Sequence, residues 1–445
     1  MNIVPPFIRR RIAHRPNLLK IIDNIGWLFF DKVLRMGVGL LVGVWVARYL
    51  GPQQFGLFSF AGAFIGLFGA VAGLGLQSIV VRDIVRDPSC EEETLGTAAV
   101  LQLGGGVLAY GLILGAIFWL RPDDALAKWL VAILGSMMLL KASEVAMYWF
   151  ESQVLSKYTV WVQNGSFLVF AAVKVALILG NAPLLVFAWA TVAEAALVAL
   201  LLLAMLGMHG PGLRKLKVSL DRAKVLLADS WPLLLSGISI MVYMKIDQIM
   251  LGHMLGDEAV GIYSAATRIS EVWYFIPMMI VASVFPAILE AKKQSEALYH
   301  QRLQRLYDLM VWLSIAVALP MTFLAGPIVV LLYGPAYAEA GTVLAIHIWA
   351  SVFVFLGVAS GQWFIAENRQ ILSFQRTLMG AVINVVLNYI FIPQFGVAGA
   401  AYATVLAQAS VGLLYDVFQK ETQPMFVMKL KSFNPMQLQA YKTNK

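Results

Sequence analysis

The chain has 445 residues, of which 60% are hydrophobic and 13% are charged, and its formal net charge is +8. Soluble globular domains are about half apolar and about a quarter charged, so this composition excludes that class. Apolar runs of about 20 residues recur along the whole sequence, and a helix of that length crosses the hydrocarbon core of a bilayer. The composition indicates an all-α polytopic membrane protein.

Charged residues and Gly/Pro breaks divide the sequence into about twelve predicted spans. They cover residues 25–48, 55–80, 94–119, 127–147, 159–179, 184–207, 231–254, 259–286, 307–327, 341–364, 371–391 and 397–418. Lys and Arg in short loops orient such a protein, because they remain on the cytoplasmic side. With a cytoplasmic N-terminus, 23 of the 33 Lys and Arg residues lie inside, and only Arg121 and Lys128 lie in outer loops. The sequence therefore predicts that both termini are cytoplasmic.

A turn after the first span is repeated after the seventh. The segment ARYLGPQQFGLFSFAGA corresponds to GHMLGDEAVGIYSAATR at an offset of 205 residues, which places Gly51 on Gly256 and Gly56 on Gly261. Glycines at the end of a helix supply a positive φ, so a good turn alone explains the residue types. It does not explain their placement at matching points of two six-span halves, which favours a duplication.

An even number of spans between the repeats gives both halves the same orientation. The expected relation is a pseudo-two-fold axis along the membrane normal, as in two-bundle transporters. The predicted division of the chain is a basic cytoplasmic N-terminus at 1–24, a six-helix bundle at 25–207, a cytoplasmic linker at 208–230, a second six-helix bundle at 231–418 and a cytoplasmic tail at 419–445.

These turns and several other segments resemble a family. The sequence is similar to the Wzx-type polysaccharide flippases of the MOP superfamily, which also contains the MATE drug exporters and the lipid II flippases. The segments that carry the resemblance are ARYLGPQQFGLFSF, the stretch from Lys245 to Pro277, the VFP ending at Pro286, LYGPAYAEAG and IPQFGVAGAAYAT. They span essentially the whole chain, but they are turns and give little information about the substrate.

The resemblance implies a transporter in the bacterial inner membrane with a MATE-like fold. The implied cargo is an undecaprenyl-pyrophosphate-linked oligosaccharide, carried by alternating access to the periplasmic leaflet for O-antigen, capsule or exopolysaccharide synthesis. Membrane lipids and polysaccharide polymerase machinery are the implied partners. The sequence has no Walker P-loop, so the driving force is expected to be an ion gradient (H⁺ or Na⁺), the membrane potential or the downhill consumption of the product. We expect no cofactor, no metal site, no catalytic residue and no nucleic-acid partner.

Two other functions remain open at this stage. A MATE-like exporter of cationic compounds predicts a cavity dominated by acidic side chains. A membrane glycosyl-transfer enzyme generally needs a sizeable outer domain, whereas the longest predicted outer loop has about fifteen residues. The short loops and the excess of basic residues within the spans argue against both alternatives.

Ionisable residues within spans are the candidate functional residues, because a charge in hydrocarbon is costly and normally faces a cavity or a partner. The basic side chains outnumber the acidic ones, eight to five, and suit an anionic cargo. The substrate-binding candidates are Lys32, Arg35, Lys141, Lys174, Lys245 and Arg268, and the coupling candidates are Asp31, Glu144, Glu194, Asp247 and Glu271.

Spacing sorts these charges. Asp31 with Arg35, Lys141 with Glu144 and Arg268 with Glu271 are three or four residues apart, so each pair shares a helix face. Only twelve uncharged residues follow Arg35 before Arg48, about 18 Å of helix, so the first span must include Asp31, Lys32 and Arg35. Asp247 has no local partner, which leaves two interpretations: a coupling carboxylate, or an ion pair with a basic residue on another span.

Overall fold

A computed structural model describes residues 16–367 and 369–435. These residues form helices and the turns between them. Of the segment predicted as a basic N-terminus, residues 1–15 lie outside the described residues, and the first helix begins at Pro16. The last ten residues of the predicted tail also lie outside them.

Among the described residues, eleven helical stretches are long and apolar enough to cross a membrane. The first, Gly26–Arg86, has 61 residues. At ~1.5 Å per residue it is far longer than one bilayer crossing requires, and it holds the first two predicted spans. The other ten coincide with predicted spans three to twelve, so the all-α polytopic fold is confirmed.

The chain divides into two compact units. The N-terminal unit consists of residues up to Leu50 together with Ala61–Ile238. Its core packs Leu76, Phe150 and Leu206, among others. The helices of this part of the chain are α1 (Pro16–Gly73), α2 (Leu76–Arg86), α3 (Glu91–Leu120), α4 (Ala125–Gly135), α5 (Val145–Ser152), α6 (Ser156–Leu179), α7 (Leu184–His209) and α8 (Leu220–Met254), with a 3₁₀ helix at Ser136–Glu144 between α4 and α5.

The segment predicted as a linker, residues 208–230, differs from that expectation. Its second half is already helical, because α8 begins at Leu220, and the division between the two units falls inside α8. The preceding residues are held on α3: the Lys217 backbone N–H donates to the Glu92 carbonyl (3.2 Å) and the Ser219 N–H to Thr97 Oγ1 (3.1 Å). Composition indicated a loop, but backbone hydrogen bonds fix it to the N-terminal unit.

The C-terminal unit consists of Gly51–Phe60 and the chain from Ser239 onward. Its core packs Phe285, Tyr307 and Phe355, among others. Its further helices are α9 (Asp257–Glu271), α10 (Phe275–Gln294), α11 (Glu296–Tyr333), α12 (Glu339–His347), α13 (Ala350–Ala366), α14 (Gln370–Phe395), α15 (Val397–Ala409), α16 (Tyr415–Phe418) and α17 (Gln423–Ser432), with a π-helix at Ser410–Leu414.

Four turns between spans have the same backbone feature. They link spans one to two, seven to eight, nine to ten and eleven to twelve. Each contains a glycine with positive φ: Gly51 (71°), Gly256 (90°), Gly334 (91°) and Gly396 (59°). Residues with a Cβ rarely adopt such values. The two repeated turns match closely, with ψ of 170° at Gly51 and 179° at Gly256. The repeat in the sequence is therefore also a repeat of backbone conformation.

The second glycine of each repeated turn makes a close backbone contact inside the C-terminal unit. A Cβ on Gly56 would overlap the Asp257 carbonyl oxygen, and a Cβ on Gly261 would overlap the Pro52 carbonyl oxygen. Pro52 and Asp257 are themselves equivalent at the offset of 205. Each glycine thus packs on the residue that its counterpart turn contributes, so the contact is reciprocal, like an interface around a two-fold axis.

We expect Gly56→Ala to destabilise the protein, because the added methyl group cannot move away from a backbone oxygen. Overpacking of this kind costs about 1–3 kcal/mol. Gly261→Ala should have a similar effect, and the double variant should lose less than the sum, because both changes act on one contact. The measurement is the thermal unfolding midpoint of detergent-solubilised protein.

Gly62→Ala is the matched control, because Gly62 lies in α1 and no neighbouring atom comes within 4 Å of the position that an added methyl group would take. It should unfold at or slightly above the wild-type temperature, since alanine favours a helix. A Gly56→Ala protein as stable as this control would contradict the close contact.

Candidate functional site

The N-terminal unit contains a partly open pocket of about 530 Å³. The 3₁₀ helix after α4 forms one wall, and α5, α6 and α7 contribute the others. Most of its surface is aliphatic or thioether, with four charged side chains among the lining. The lining residues are Met137, Met138, Leu140, Lys141, Ser143, Glu144, Met147, Gln163, Lys174, Thr191, Glu194, Ala195, Val198, Ala199 and Leu202.

One charged pair of the pocket comes from the 3₁₀ helix. Lys141 Nζ lies 2.7 Å from Glu144 Oε1, and the side chains are 28% and 32% exposed. A 3₁₀ helix has three residues per turn, so residues three apart lie directly above each other. Glu144 also accepts a 3.4 Å hydrogen bond from the Tyr148 hydroxyl, which in turn accepts one of 2.8 Å from Gln102. The spacing predicted the pair, but not the supporting network.

The second charged pair joins two helices. Lys174 Nζ on α6 lies 2.8 Å from Glu194 Oε2 on α7, with side-chain exposures of 22% and 19%. Rules of local spacing, which pair residues three or four positions apart on one helix, could not predict this pair. Lys174 is on α6 (Ser156–Leu179) and Glu194 is on α7 (Leu184–His209), at unequal distances from the turn between them, so only the packing of the two helices brings the charges together.

The charged residues of the first span form a separate cluster. Arg35 Nε donates to Asp31 Oδ1 at 2.8 Å and to Asn164 Oδ1 on α6 at 3.3 Å, and the guanidinium lies 5.6 Å from the centre of the Phe167 ring. The Arg35 side chain is 35% exposed. Lys32 is exposed. Neither Asp31 nor Arg35 lines the pocket described above.

Asp247 is buried in the C-terminal unit and its partners come from three other helices. Tyr263 and Thr404 each donate a hydroxyl to Oδ2 at 2.7 Å, and Asn388 donates its amide to Oδ1 at 2.5 Å. Asn384 accepts a 3.1 Å bond from the same Asn388 amide. The ion pair considered from the sequence is thus replaced by neutral donors, which satisfy a buried carboxylate without adding a compensating charge.

The remaining candidates lie near this carboxylate along α8 and α9. The guanidinium of Arg268 lies over the ring of Phe55, 4.7 Å from the ring centre, and not in a direct ion pair with Glu271. Lys245 on α8 and Glu271 on α9 are both half-buried. The i,i+3 spacing places Arg268 and Glu271 on one side of the helix, but the planar guanidinium packs on the aromatic ring of Phe55 instead of on the carboxylate.

The structure therefore collects four of the eleven candidates, Lys141, Glu144, Lys174 and Glu194, in one pocket. Two lysines paired with two glutamates give no net charge, so the expected cationic character is absent from this pocket while both pairs are intact. Among residues 16–367 and 369–435, no group of three or more His, Cys, Asp and Glu side chains is arranged to hold a metal ion.

Two family models match the sequence. The model described as polysaccharide biosynthesis protein matches residues 21–292, more than half of the chain. The MatE model matches residues 232–390. Both models describe families of membrane transporters, so the glycosyl-transfer enzyme considered from the sequence is set aside.

Individual proteins agree with these matches. A probable low-salt glycan biosynthesis flippase of Haloferax volcanii, Agl15, is 25% identical over 86% of this chain and 80% of its own. An inward-facing multidrug resistance MATE family transporter of the MOP superfamily superimposes with a TM-score of 0.69 at 18% identity, covering 92% of this chain and 96% of its own.

The lipid II flippase MurJ, in an inward closed conformation, gives a TM-score of 0.67 at 16% identity, covering 95% of this chain and 93% of its own. The TM-scores show a shared fold. The match of the family model over more than half of the chain, together with a flippase among the relatives, confirms the resemblance found in the turns, and the chain therefore belongs to the polysaccharide biosynthesis protein family.

Proposed function

We propose that this flippase moves a polyprenyl-pyrophosphate-linked oligosaccharide, with undecaprenyl as the bacterial carrier, from the cytoplasmic to the periplasmic leaflet. The product would feed O-antigen, capsule or exopolysaccharide synthesis and reach polysaccharide polymerase machinery. The observation that carries the proposal is the pocket of the N-terminal unit, where two lysines face the same partly open space.

The pairing of these lysines limits how an anionic headgroup would bind. While Glu144 and Glu194 are ionised, each lysine already has a partner within 2.8 Å. A pyrophosphate oxygen would have to displace a carboxylate from its lysine. The Lys174–Glu194 pair is the better placed for this exchange because its two partners are on separate helices.

Arg35 is the proposed additional contact for the headgroup. Both of its hydrogen bonds use Nε, and within the described residues its terminal nitrogens make no hydrogen bond. A guanidinium held in this way presents its remaining N–H groups in a fixed plane, which suits phosphate oxygens. Phe167 beneath the group restricts its tilt.

We propose that both termini are cytoplasmic and that the protein resides in the bacterial inner membrane. The cytoplasmic termini are supported by the 23-to-2 distribution of Lys and Arg between the two sets of loops, and the bacterial membrane is what the resemblance to the polysaccharide flippases implies. The four glycine turns of the C-terminal unit link odd-numbered spans to the next even-numbered one, so they would all lie on the periplasmic side.

A MATE-like exporter of cationic compounds is the second candidate. Asp247 favours it, because a buried carboxylate surrounded by neutral donors could attract a cation. A deletion strain separates the two functions. Lipid-linked oligosaccharide that accumulates on the cytoplasmic side supports the flippase, whereas unchanged glycolipid with altered drug tolerance supports the exporter.

We expect Arg35→Ala to lower polysaccharide export at least about tenfold, since loss of one charge-assisted hydrogen bond is worth about 1.5–3 kcal/mol. Arg35→Lys should retain part of the activity, because it keeps the charge and loses the planar fork. Export is measured by complementation at matched membrane levels. Arg48→Ala is the control, because Arg48 is exposed near the end of the first span, and full export by Arg35→Ala at normal expression would refute the role.

For the Lys174–Glu194 pair, either single alanine variant leaves one poorly solvated charge without its partner. The free energy of unfolding should fall by about 1–3 kcal/mol, measured by thermal unfolding in detergent. The reversed pair, Lys174→Glu with Glu194→Lys, should recover most of this stability while transport stays low, because the lysine has moved to the other helix. Wild-type transport by the reversed pair would show that the position of the cation is unimportant.

For Asp247 we expect Asp247→Asn to remove the dependence of transport on an imposed H⁺ or Na⁺ gradient, measured in inverted membrane vesicles, while glycolipid binding persists. The fold should tolerate the change, because the new amide can donate to the hydroxyl oxygens of Tyr263 and Thr404. If gradient dependence survives and only thermal stability falls, Asp247 is a structural group and does not couple transport to an ion.

A further inference from the structure

The segment after the last span was predicted as a cytoplasmic tail, but residues 423–432 form a docked helix, α17. Two of its polar side chains, Lys429 and Ser432, are fully buried beside the buried Met425. Val427 and Leu430 are each 47% exposed, and Phe433, the residue after the helix, is 36% exposed. A helix on a soluble surface does not normally bury a lysine while it exposes aliphatic side chains.

Buried polar contacts hold α17 in this orientation. Lys429 Nζ donates to Asp416 Oδ2 at 2.6 Å and to the Gly412 carbonyl at 2.8 Å. That carbonyl belongs to the π-helix of the last span, Ser410–Leu414. Burial lowers the pKa of Lys429 to about 8, so the ammonium is still mostly charged at neutral pH and the pair with Asp416 persists.

Contacts with α11 fix the rotation of the helix about its own axis. Gln304 Nε2 donates to the Met428 carbonyl and to Ser432 Oγ, each at 2.9 Å. With this face pinned, the side chains of Val427 and Leu430 are on the opposite, exposed side. Their orientation is therefore set by the fold and is not an accident of a loose tail.

The apolar face of α17 continues the apolar surface of the last span. That span ends at Phe418, whose side chain is 73% exposed. The Thr422 N–H bonds back to the Gln419 carbonyl at 3.0 Å, so α17 begins only five residues after Phe418. A helix that starts so close to the end of a span, with aliphatic side chains exposed, is within reach of the membrane interface.

Basic side chains beside the exposed aliphatic residues of α17 favour contact with anionic lipid headgroups. Lys420 and Lys431 are exposed, and α17 contains no acidic residue. The nearest acid in the preceding turn, Glu421, is paired with Arg369 at 3.2 Å. Basic side chains close to a bilayer surface are attracted to anionic lipids by about 1 kcal/mol each.

We propose that α17 is an interfacial helix that binds the lipid leaflet at the end of the last span. Val427, Leu430 and Phe433 enter the acyl boundary, and Lys420 and Lys431 contact anionic headgroups. The buried Lys429–Asp416 pair locks the helix to the last span, so the position of this span and the membrane contact are linked.

The test uses nitroxide spin labels at single cysteines in a Cys90→Ser background, reconstituted in vesicles of phosphatidylcholine with or without phosphatidylglycerol. Labels at Val427 and Leu430 should collide more often with oxygen than with a water-soluble nickel chelate. A label at Asp221, whose side chain is 95% exposed, is the control and should show the reverse preference. All three positions are at the surface, so the labels leave the core intact.

Two outcomes overturn the lipid contact. A Leu430 label that meets nickel as often as the Asp221 label does would place α17 in water. A label shielded from both reagents would place α17 against protein. The headgroup contact is tested by the lipid composition: 30% phosphatidylglycerol in the vesicles should increase the depth of the Leu430 label in the membrane. The double variant Lys420→Gln with Lys431→Gln should abolish this increase. If phosphatidylglycerol does not change the depth of the label in the parent protein, the headgroup contact is wrong.

Discussion

The cost of leaving a charge or an unpaired polar group in hydrocarbon governs this structure. Each helix satisfies its own backbone, so the side chains decide which helices must meet. Lys174 on α6 needs Glu194 on α7, and Asp247 on α8 needs hydroxyl and amide donors from three other helices. The functional candidates and the organising contacts of each unit are therefore largely the same residues.

This coincidence shapes the proposed transport chemistry. A transporter has to bind a charged cargo in one state and tolerate the empty site in the other. A lysine paired with a glutamate meets both needs, because the carboxylate neutralises the ammonium group when no phosphate is bound. Asp247 presents a different case, because all its hydrogen-bond donors among the described residues are neutral and no basic side chain there is bonded to the carboxylate.

Glycine performs a different task at the turns. Positive φ at Gly51 and Gly256 lets two helices join with no intervening loop. Gly56 and Gly261 then allow carbonyl oxygens of the opposite turn to approach where any Cβ would collide. The first pair sets the path of the chain and the second pair sets how closely the two turns pack, so the repeated motif encodes a contact between its own two copies.

The sequence by itself determined the fold class, the positions of the spans and the equivalence of the repeated turns. These follow from hydropathy and from glycine turns, which act over a few residues. The family assignment rests on the similarity of whole segments to known flippases and on the family model that matches residues 21–292. Local spacing also predicted the ion pairs Asp31–Arg35 and Lys141–Glu144.

Only the tertiary structure decided which distant groups meet. It paired Lys174 with Glu194 and gave Asp247 neutral donors in place of a basic partner. It also placed Arg268 over the ring of Phe55 and buried Lys429 of α17 against Asp416. The physical reason is that a buried polar side chain is satisfied by whichever partner the packing brings within about 3 Å. The sequence states that a partner is required, and the packing of the helices selects it.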